Sequence, residues 1–296
     1  METKSAWLEI NGVKIHYVTA GQGKPIIFIH GFPEFWLAWE NQIQELSKDH
    51  RVIAIDMRGF NLSSKPKGQA HYRIPVLIED LKQIAEKLDL ADATWVAHDW
   101  GGIVAWGFAI QHPQMMKRLI ILNSPHPAIL ARELRENPAQ REAGQYVNFF
   151  RAAWAKYFLR AFNFKILDNE ILKPLLELNF LSLNSYKQYL RAWAQDGALE
   201  AALNYYRAAD FANPTHGIGP NPTDISAAGG AYRVRVPTMV IWGEQDKHIL
   251  LGNLVGLSAF VDDLRLERVP DATHWIAREK PQLVNSLIRD FIYSKP

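Results

Sequence analysis

Three residues far apart in the chain are of types that act together in nucleophilic catalysis. Asp99 lies in His98-Asp99-Trp100-Gly101-Gly102, Asp246 in Trp242-Gly243-Glu244-Gln245-Asp246, and His274 in Val269-Pro270-Asp271-Ala272-Thr273-His274-Trp275. An aspartate has an ordinary pKa of about 3.9, so at neutral pH it is already an anion and attacks carbon without a base. Attack at a tetrahedral carbon makes an ester, and a histidine kept out of that step can then deprotonate a water that cleaves it. A second carboxylate orients the imidazole and stabilises its cation. Taken alone, Asp99 reads equally well as a helix N-cap, because aspartate is a favoured cap. A fourth segment, His30-Gly31-Phe32-Pro33, suggests where an oxyanion would be held, by the backbone N–H groups of Phe32 and Trp100.

These residues can meet only if the chain delivers them to one place. Trp7 to Val18 alternates around Asn11-Gly12, a dipeptide suited to a type I′ turn, and reads as a hairpin. Continuous apolar runs follow at Pro25–His30, Arg51–Asp56, Thr94–His98, Leu119–Asn123, Thr238–Trp242 and Leu264–Val269. Runs of that length imply strands buried on both faces of a parallel sheet. Segments of helical periodicity separate most of them, as at Val76–Leu88 and Pro281–Phe291. The expected architecture is therefore α/β, a mostly parallel doubly wound sheet with its chemistry at the carboxyl ends of the strands. Asp99 follows one such end, on a strand-to-helix turn that holds its side chain away from the backbone. Asp246, His274 and His30 follow three others.

One stretch interrupts the alternation. From Pro125 to Tyr232 the sequence is rich in Trp, Tyr, Phe, Leu and Ala at helical spacing, and reads as an inserted helical unit with Pro214–Gly230 as its loop-like exit. Residues 1–124 and 233–296 then form the core unit and 125–232 the insertion. With 296 residues, 48% hydrophobic and 22% charged, the chain is ordinary globular material, which excludes disorder and coiled coil as its main architecture. The net charge of +2 carries no long run of one sign, so nothing calls for nucleic acid or an anionic membrane. There is no cysteine, hence no disulfide and no thiol site. The N-terminus lacks the pattern of a signal peptide, and a cytoplasmic location is the expectation.

On these residues the sequence resembles an α/β-hydrolase of the epoxide hydrolase branch, kin to the haloalkane dehalogenases, over essentially its whole length. The resemblance rests on His30-Gly31-Phe32-Pro33, His98-Asp99-Trp100-Gly101-Gly102, Asp246 after Trp-Gly-Glu, His274, and two tyrosines in the insertion. It implies that the insertion is a helical cap over the pocket and that two of its tyrosines hydrogen-bond the epoxide oxygen. Asn204-Tyr205-Tyr206-Arg207 resembles the motif of one, assigned to Tyr206; Gln145-Tyr146-Val147-Asn148 resembles that of the other, assigned to Tyr146. Three departures stand out. Ala97 replaces a glycine two residues before Asp99, Asn61 replaces a glycine in Arg58-Gly59-Phe60-Asn61-Leu62-Ser63, and Thr273 stands where glycine often precedes the histidine. Asparagine tolerates a left-handed backbone better than most residues, so the Asn61 turn is expected to survive.

The implied reaction is attack of Asp99 on an epoxide, proton donation by Tyr146 and Tyr206, and hydrolysis of the ester by water that His274 activates with Asp246 behind it. Trp36, Phe150 and Trp275 are expected to line the pocket. No cofactor and no metal site is expected, since the ten histidines are scattered and no glycine-rich phosphate loop occurs. The partners are a small apolar epoxide and water, and a homodimer is compatible with the sequence. A haloalkane dehalogenase shares the machinery but commonly has Asn at the position of Phe32, and fluoroacetate-type dehalogenases carry Arg where Trp100 stands. A rival of another class is a small-molecule-binding protein on the same scaffold without turnover.

Overall fold

A computed structural model of the chain describes residues 3–210 and 230–294. Asn11 and Gly12 both take positive φ, 46° and 72°, and the hairpin of β1 (Lys4–Ile10) and β2 (Val13–Ala20) closes with Ile10 opposite Val13. The apolar runs form β3 (Pro25–Ile29), β4 (Arg51–Ile55), β5 (Thr94–His98), β6 (Arg118–Leu122), β7 (Thr238–Gly243) and β8 (Leu264–Val269). They build one eight-stranded sheet in the order β1-β2-β4-β3-β5-β6-β7-β8. β1 and β2 are antiparallel to their neighbours, and β3 to β8 run parallel. The chain leaves β3 for β4 on one side and returns to β5 on the other. The carboxyl ends of β3 and β5 thus flank the point where strand order reverses, which is where α/β sheets bind their ligands.

Period-two alternation sends strand side chains to two faces. Ile26, Phe28, Val96, Ile120 and Ile241 face α1 (Glu40–Leu46) and a C-terminal helix, Pro281–Tyr293, in one core. Ile27, Ile29, Trp95, Ile121 and Val240 belong to the second core, with α2 (Ile74–Leu88) and α3 (Asp99–Gln111). α3 is buried nearly all round and has no polar stripe to expose, so its N-terminus is fixed at the centre of the molecule.

Between β6 and β7 the described chain is helical: α4 (Pro127–Glu136), α5 (Pro138–Ala143), α6 (Tyr146–Arg151), α7 (Ala155–Leu167), α8 (Lys173–Glu177), α9 (Leu183–Ala194) and α10 (Ala198–Ala208). Local chemistry sets several of the starts. Proline occupies the first turn of α4 and α5, the Asn137 side chain accepts from the N–H groups of Ala139 and Gln140, and Ser182 accepts from that of Ser185. The backbone leaves helical geometry at Ala161–Phe164 inside α7. The Pro214–Gly230 exit lies, but for Gly230, outside the described residues. After β8 come α11 (Ile276–Glu279) and α12, the Pro281–Tyr293 helix. Asn61 has a φ of 39°, the conformation its glycine-like position requires. Among the described residues no helix is long and apolar enough to cross a membrane.

Candidate active site

Asp99 has a φ of 49°, strained for a residue with a side chain, and is buried to 8% exposure where β5 becomes α3. Tight neighbours hold it there. A Cβ on Gly31 would lie 2.4 Å from both the Cβ and the Oδ1 of Asp99, and one on Gly101 would lie 2.5 Å from the His30 carbonyl oxygen. The Ser124 hydroxyl donates to the Asp99 carbonyl at 2.7 Å. The Phe32 N–H donates to Asp99 Oδ1 at 2.7 Å. Its loop is propped from behind by His30, whose Nε2 accepts from the Met57 N–H at 2.9 Å, which leaves the proton on Nδ1 to donate to the Gly31 carbonyl at 2.8 Å.

The other carboxylate oxygen, Oδ2, faces His274, whose Nε2 is 3.7 Å away, beyond hydrogen-bond range. His274 Nδ1 meets Asp246 Oδ2 at 2.7 Å. Asp246 also accepts from Asn123 Nδ2 at 2.8 Å and from the N–H groups of His248 and Ile249 at 2.8 and 3.0 Å. Burial works against its ionisation, but the His274 charge and the bonds from His274, Ile249 and His248 overcome that and hold its pKa at about 2. Burial likewise opposes charge on His274, yet the carboxylates of Asp246, Asp99 and Glu34 push it up to about 9. At neutral pH the pair is an imidazolium held against a carboxylate.

Above Asp99 stand Tyr146 on α6 and Tyr206 on α10, with ring centroids 6.2 Å apart. Burial and the Asp99 charge raise the pKa of both phenols, so they are neutral O–H donors. The rings of Trp100, Phe32 and Phe150 pack against that of Tyr206 at 5.2, 5.1 and 4.9 Å. Two cavities of about 300 and 290 Å³ meet at Asp99, Tyr146, Tyr206 and His248. The first is apolar, walled by Phe32, Phe150, Leu167, Ile171 and Trp275. The second leads past Ile103 and Leu134 to Gln140, Arg141 and Arg151. A carboxylate on a cavity, two phenols opposite it and an imidazole at its flank are groups able to attack carbon, donate hydrogen bonds and move a proton.

The family model for the α/β hydrolase fold matches residues 24–281. Human epoxide hydrolase 4 is 32% identical over 95% of this chain and 76% of its own length, and Xenopus tropicalis epoxide hydrolase 3 is 33% identical over 95% and 75%. The chain belongs to the α/β-hydrolase family, in its epoxide hydrolase branch. An epoxide hydrolase from Bacillus megaterium, solved in complex with an inhibitor, superposes with a TM-score of 0.89 at 33% identity, covering 98% of this chain and all of that one.

Phe32, Phe150 and Trp275 lie on the apolar cavity. Trp36 does not. Its backbone N–H is tied to Asp56 Oδ1 at 2.9 Å, and the side chain lines a separate surface groove with Glu40 and Leu183. Spacing within the Phe32–Trp36 segment could not reveal that the chain turns away after Phe32. Three contributors went unread in the sequence. Asn123, fully buried at a φ of 38°, both donates to Asp246 and accepts from the Gly243 N–H at 2.8 Å. Its position immediately after a buried strand was the available signal. His248, two residues after Asp246, opens onto both cavities. Behind His274, His98 Nε2 donates to the His274 carbonyl at 2.9 Å, while its Nδ1 faces Glu34 Oε2 at 3.1 Å. Glu34 directly follows Pro33 in the oxyanion-loop motif, but only the fold pairs it with His98. Among the described residues no cluster of His, Cys, Asp and Glu gathers to hold a metal.

Proposed function

We propose that this chain hydrolyses epoxides to vicinal diols through an ester on Asp99. The observation that carries the reading is the division of labour on one carboxylate: Oδ1 is held by the Phe32 N–H, while Oδ2 is free toward a cavity covered by two phenols. Oδ2 attacks an epoxide carbon, and the oxygen that leaves takes a proton from the phenols as its basicity rises. The Phe32 N–H, already on Oδ1, and that of Trp100 stabilise the oxyanion that forms when water attacks the ester carbonyl.

His274 is activated by the first step. At rest the Asp99 charge helps keep it protonated; esterification removes that charge and lowers the affinity of the imidazole for its proton. The base therefore becomes available when the ester exists. Asp246 orients His274 and stabilises its cation in the second step. Residues 125–232 serve as the cap and residues 1–124 and 233–296 as the core, since both phenols come from inserted helices and all other groups from strand ends. The substrate is a small, largely apolar epoxide, in keeping with the aromatic wall of one cavity. Phe32 stands where dehalogenases commonly have Asn, which supports an epoxide over an alkyl halide.

The test is a single turnover, enzyme in excess, on a panel of epoxides and alkyl halides in oxygen-18 water. The expected result is label in the Asp99 peptide and none in the diol. Label in the diol alone rejects the ester, halide release without diol formation moves the chain to the dehalogenases, and binding without turnover makes it a binding protein.

A further inference from the structure

The two chemical steps leave one proton in the wrong place. At rest Asp99 is an anion and His274 a cation; if a phenol protonates the opening ring, a phenolate remains while His274 still holds its proton. Before His274 can deprotonate water, one proton must cross from it to the phenolate. We propose that His248 carries that proton from His274 to Tyr146, an inference that rests on the epoxide hydrolase reading.

The geometry favours this path. The His248 ring lies nearly perpendicular to both partners, 5.7 Å from His274 and 5.2 Å from Tyr146 between centroids. Its backbone is pinned on both sides, the N–H on Asp246 and the carbonyl accepting from Gln140 Nε2 at 2.9 Å. No hydrogen bond occupies the ring nitrogens among the described residues, and the ring lines both cavities. The His248 ring contacts both His274 and Tyr146, so the path selects Tyr146 as the proton donor and leaves Tyr206 as a hydrogen-bond donor. A ring rotation or one bridging water closes each gap.

Each transfer balances. The N–H bond at His274 breaks as a proton reaches one nitrogen of His248, and the other nitrogen releases one to form the O–H of Tyr146. His248 ends in the opposite tautomer and resets by exchange with cavity water. His274 then takes a proton from water, hydroxide adds to the Asp99 ester, and collapse returns the Asp99 carboxylate, the His274 cation and the diol. A relay must be neutral, with one N–H and one lone pair. Burial and the His274 charge lower the His248 pKa and outweigh the facing carboxylates of Asp246, Asp99 and Glu170, which keeps it so.

The test is His248→Gln, followed by rapid quench with mass analysis of the Asp99 ester and by stopped-flow absorbance of tyrosinate. Ester hydrolysis is expected to slow on the order of 10²-fold, far more than ester formation does, and the tyrosinate signal to persist. Added imidazole is expected to restore hydrolysis. Hydrolysis at the wild-type rate overturns the relay, as does a slowing without tyrosinate that imidazole leaves unchanged. A wild-type enzyme that forms no ester with any epoxide overturns the hydrolase reading instead.

Discussion

Asp99 and Asp246 flank the same imidazole, and their surroundings give them different work. Asp246 accepts four hydrogen bonds and is saturated; Asp99 receives one donor on one oxygen and keeps the other exposed to the cavity. The Asp99 carboxylate is also one of the charges that raise His274. Asp99→Asn, an uncharged mimic of the ester, should therefore lower the His274 pKa from about 9, read by NMR titration of its ring protons. An unchanged value would remove the electrostatic trigger from the mechanism. His274→Gln should allow ring opening and stop hydrolysis, so that the protein gains the mass of one substrate at Asp99. The signs of the two shifts also fix a stability window. His274 is raised from 6.5 to about 9, so its stabilisation is complete below 6.5 and is lost as pH rises through 9. Asp246 is lowered from 3.8 to about 2, so its stabilisation is present above 3.8 and is lost as pH falls through 2. The difference in urea stability between wild type and Asp246→Asn should be greatest between these ordinary values, from 3.8 to 6.5.

On single elements, orientation separates residues that are adjacent in sequence. Tyr205 and Tyr206 are neighbours on α10, about 100° apart around the helix. Tyr205 turns to the core, where its hydroxyl donates to the Arg58 carbonyl at 2.7 Å, and Tyr206 lines the cavities with Asp99. Tyr206→Phe should slow ring opening on the order of 10²-fold with little change in melting temperature, because it removes a donor from the developing alkoxide. Tyr205→Phe should do the reverse, sparing turnover and costing about 1 kcal/mol of stability. Parallel stopped-flow and thermal melts distinguish them, and equal kinetic losses would contradict the assignment. On the oxyanion loop, Gly31→Ala drives a methyl into the Asp99 side chain. It should abolish turnover more completely than it lowers stability, since the carboxylate moves before the sheet does.

At the scale of the whole molecule, a buried polar clasp joins the inserted helices to the core behind His274. Arg278, on α11, is 2% exposed; its guanidinium donates to Glu40 Oε1 at 2.8 Å, to the Leu37 carbonyl at 2.7 Å and to the Tyr189 hydroxyl of α9 at 3.0 Å. Tyr189 in turn donates to Glu34 at 3.2 Å, the residue that faces His98. Arg278→Met would leave the buried Glu34 and the half-buried Glu40 without their cation, a loss of up to about 3–5 kcal/mol where such a pair is fully buried. A melting temperature within a degree or two of wild type would show that the clasp contributes little.

Much of this was legible in the chain. The strand ends and the Asp99, Asp246, His274 order follow from apolar runs and turn residues, because period-two burial and tight-turn sterics act over a few residues. Asn61 and Asn11-Gly12 were readable for the same local reason. The sequence also singled out Tyr146 and Tyr206, through motif resemblance rather than spacing. Tertiary structure decided the rest: that Trp36 leaves the site, that Asn123 and His248 join it, and that Glu34 meets His98. These depend on how elements distant in sequence pack together, a choice made by side-chain volume and hydrogen-bond satisfaction across the core, which no short window of residues encodes.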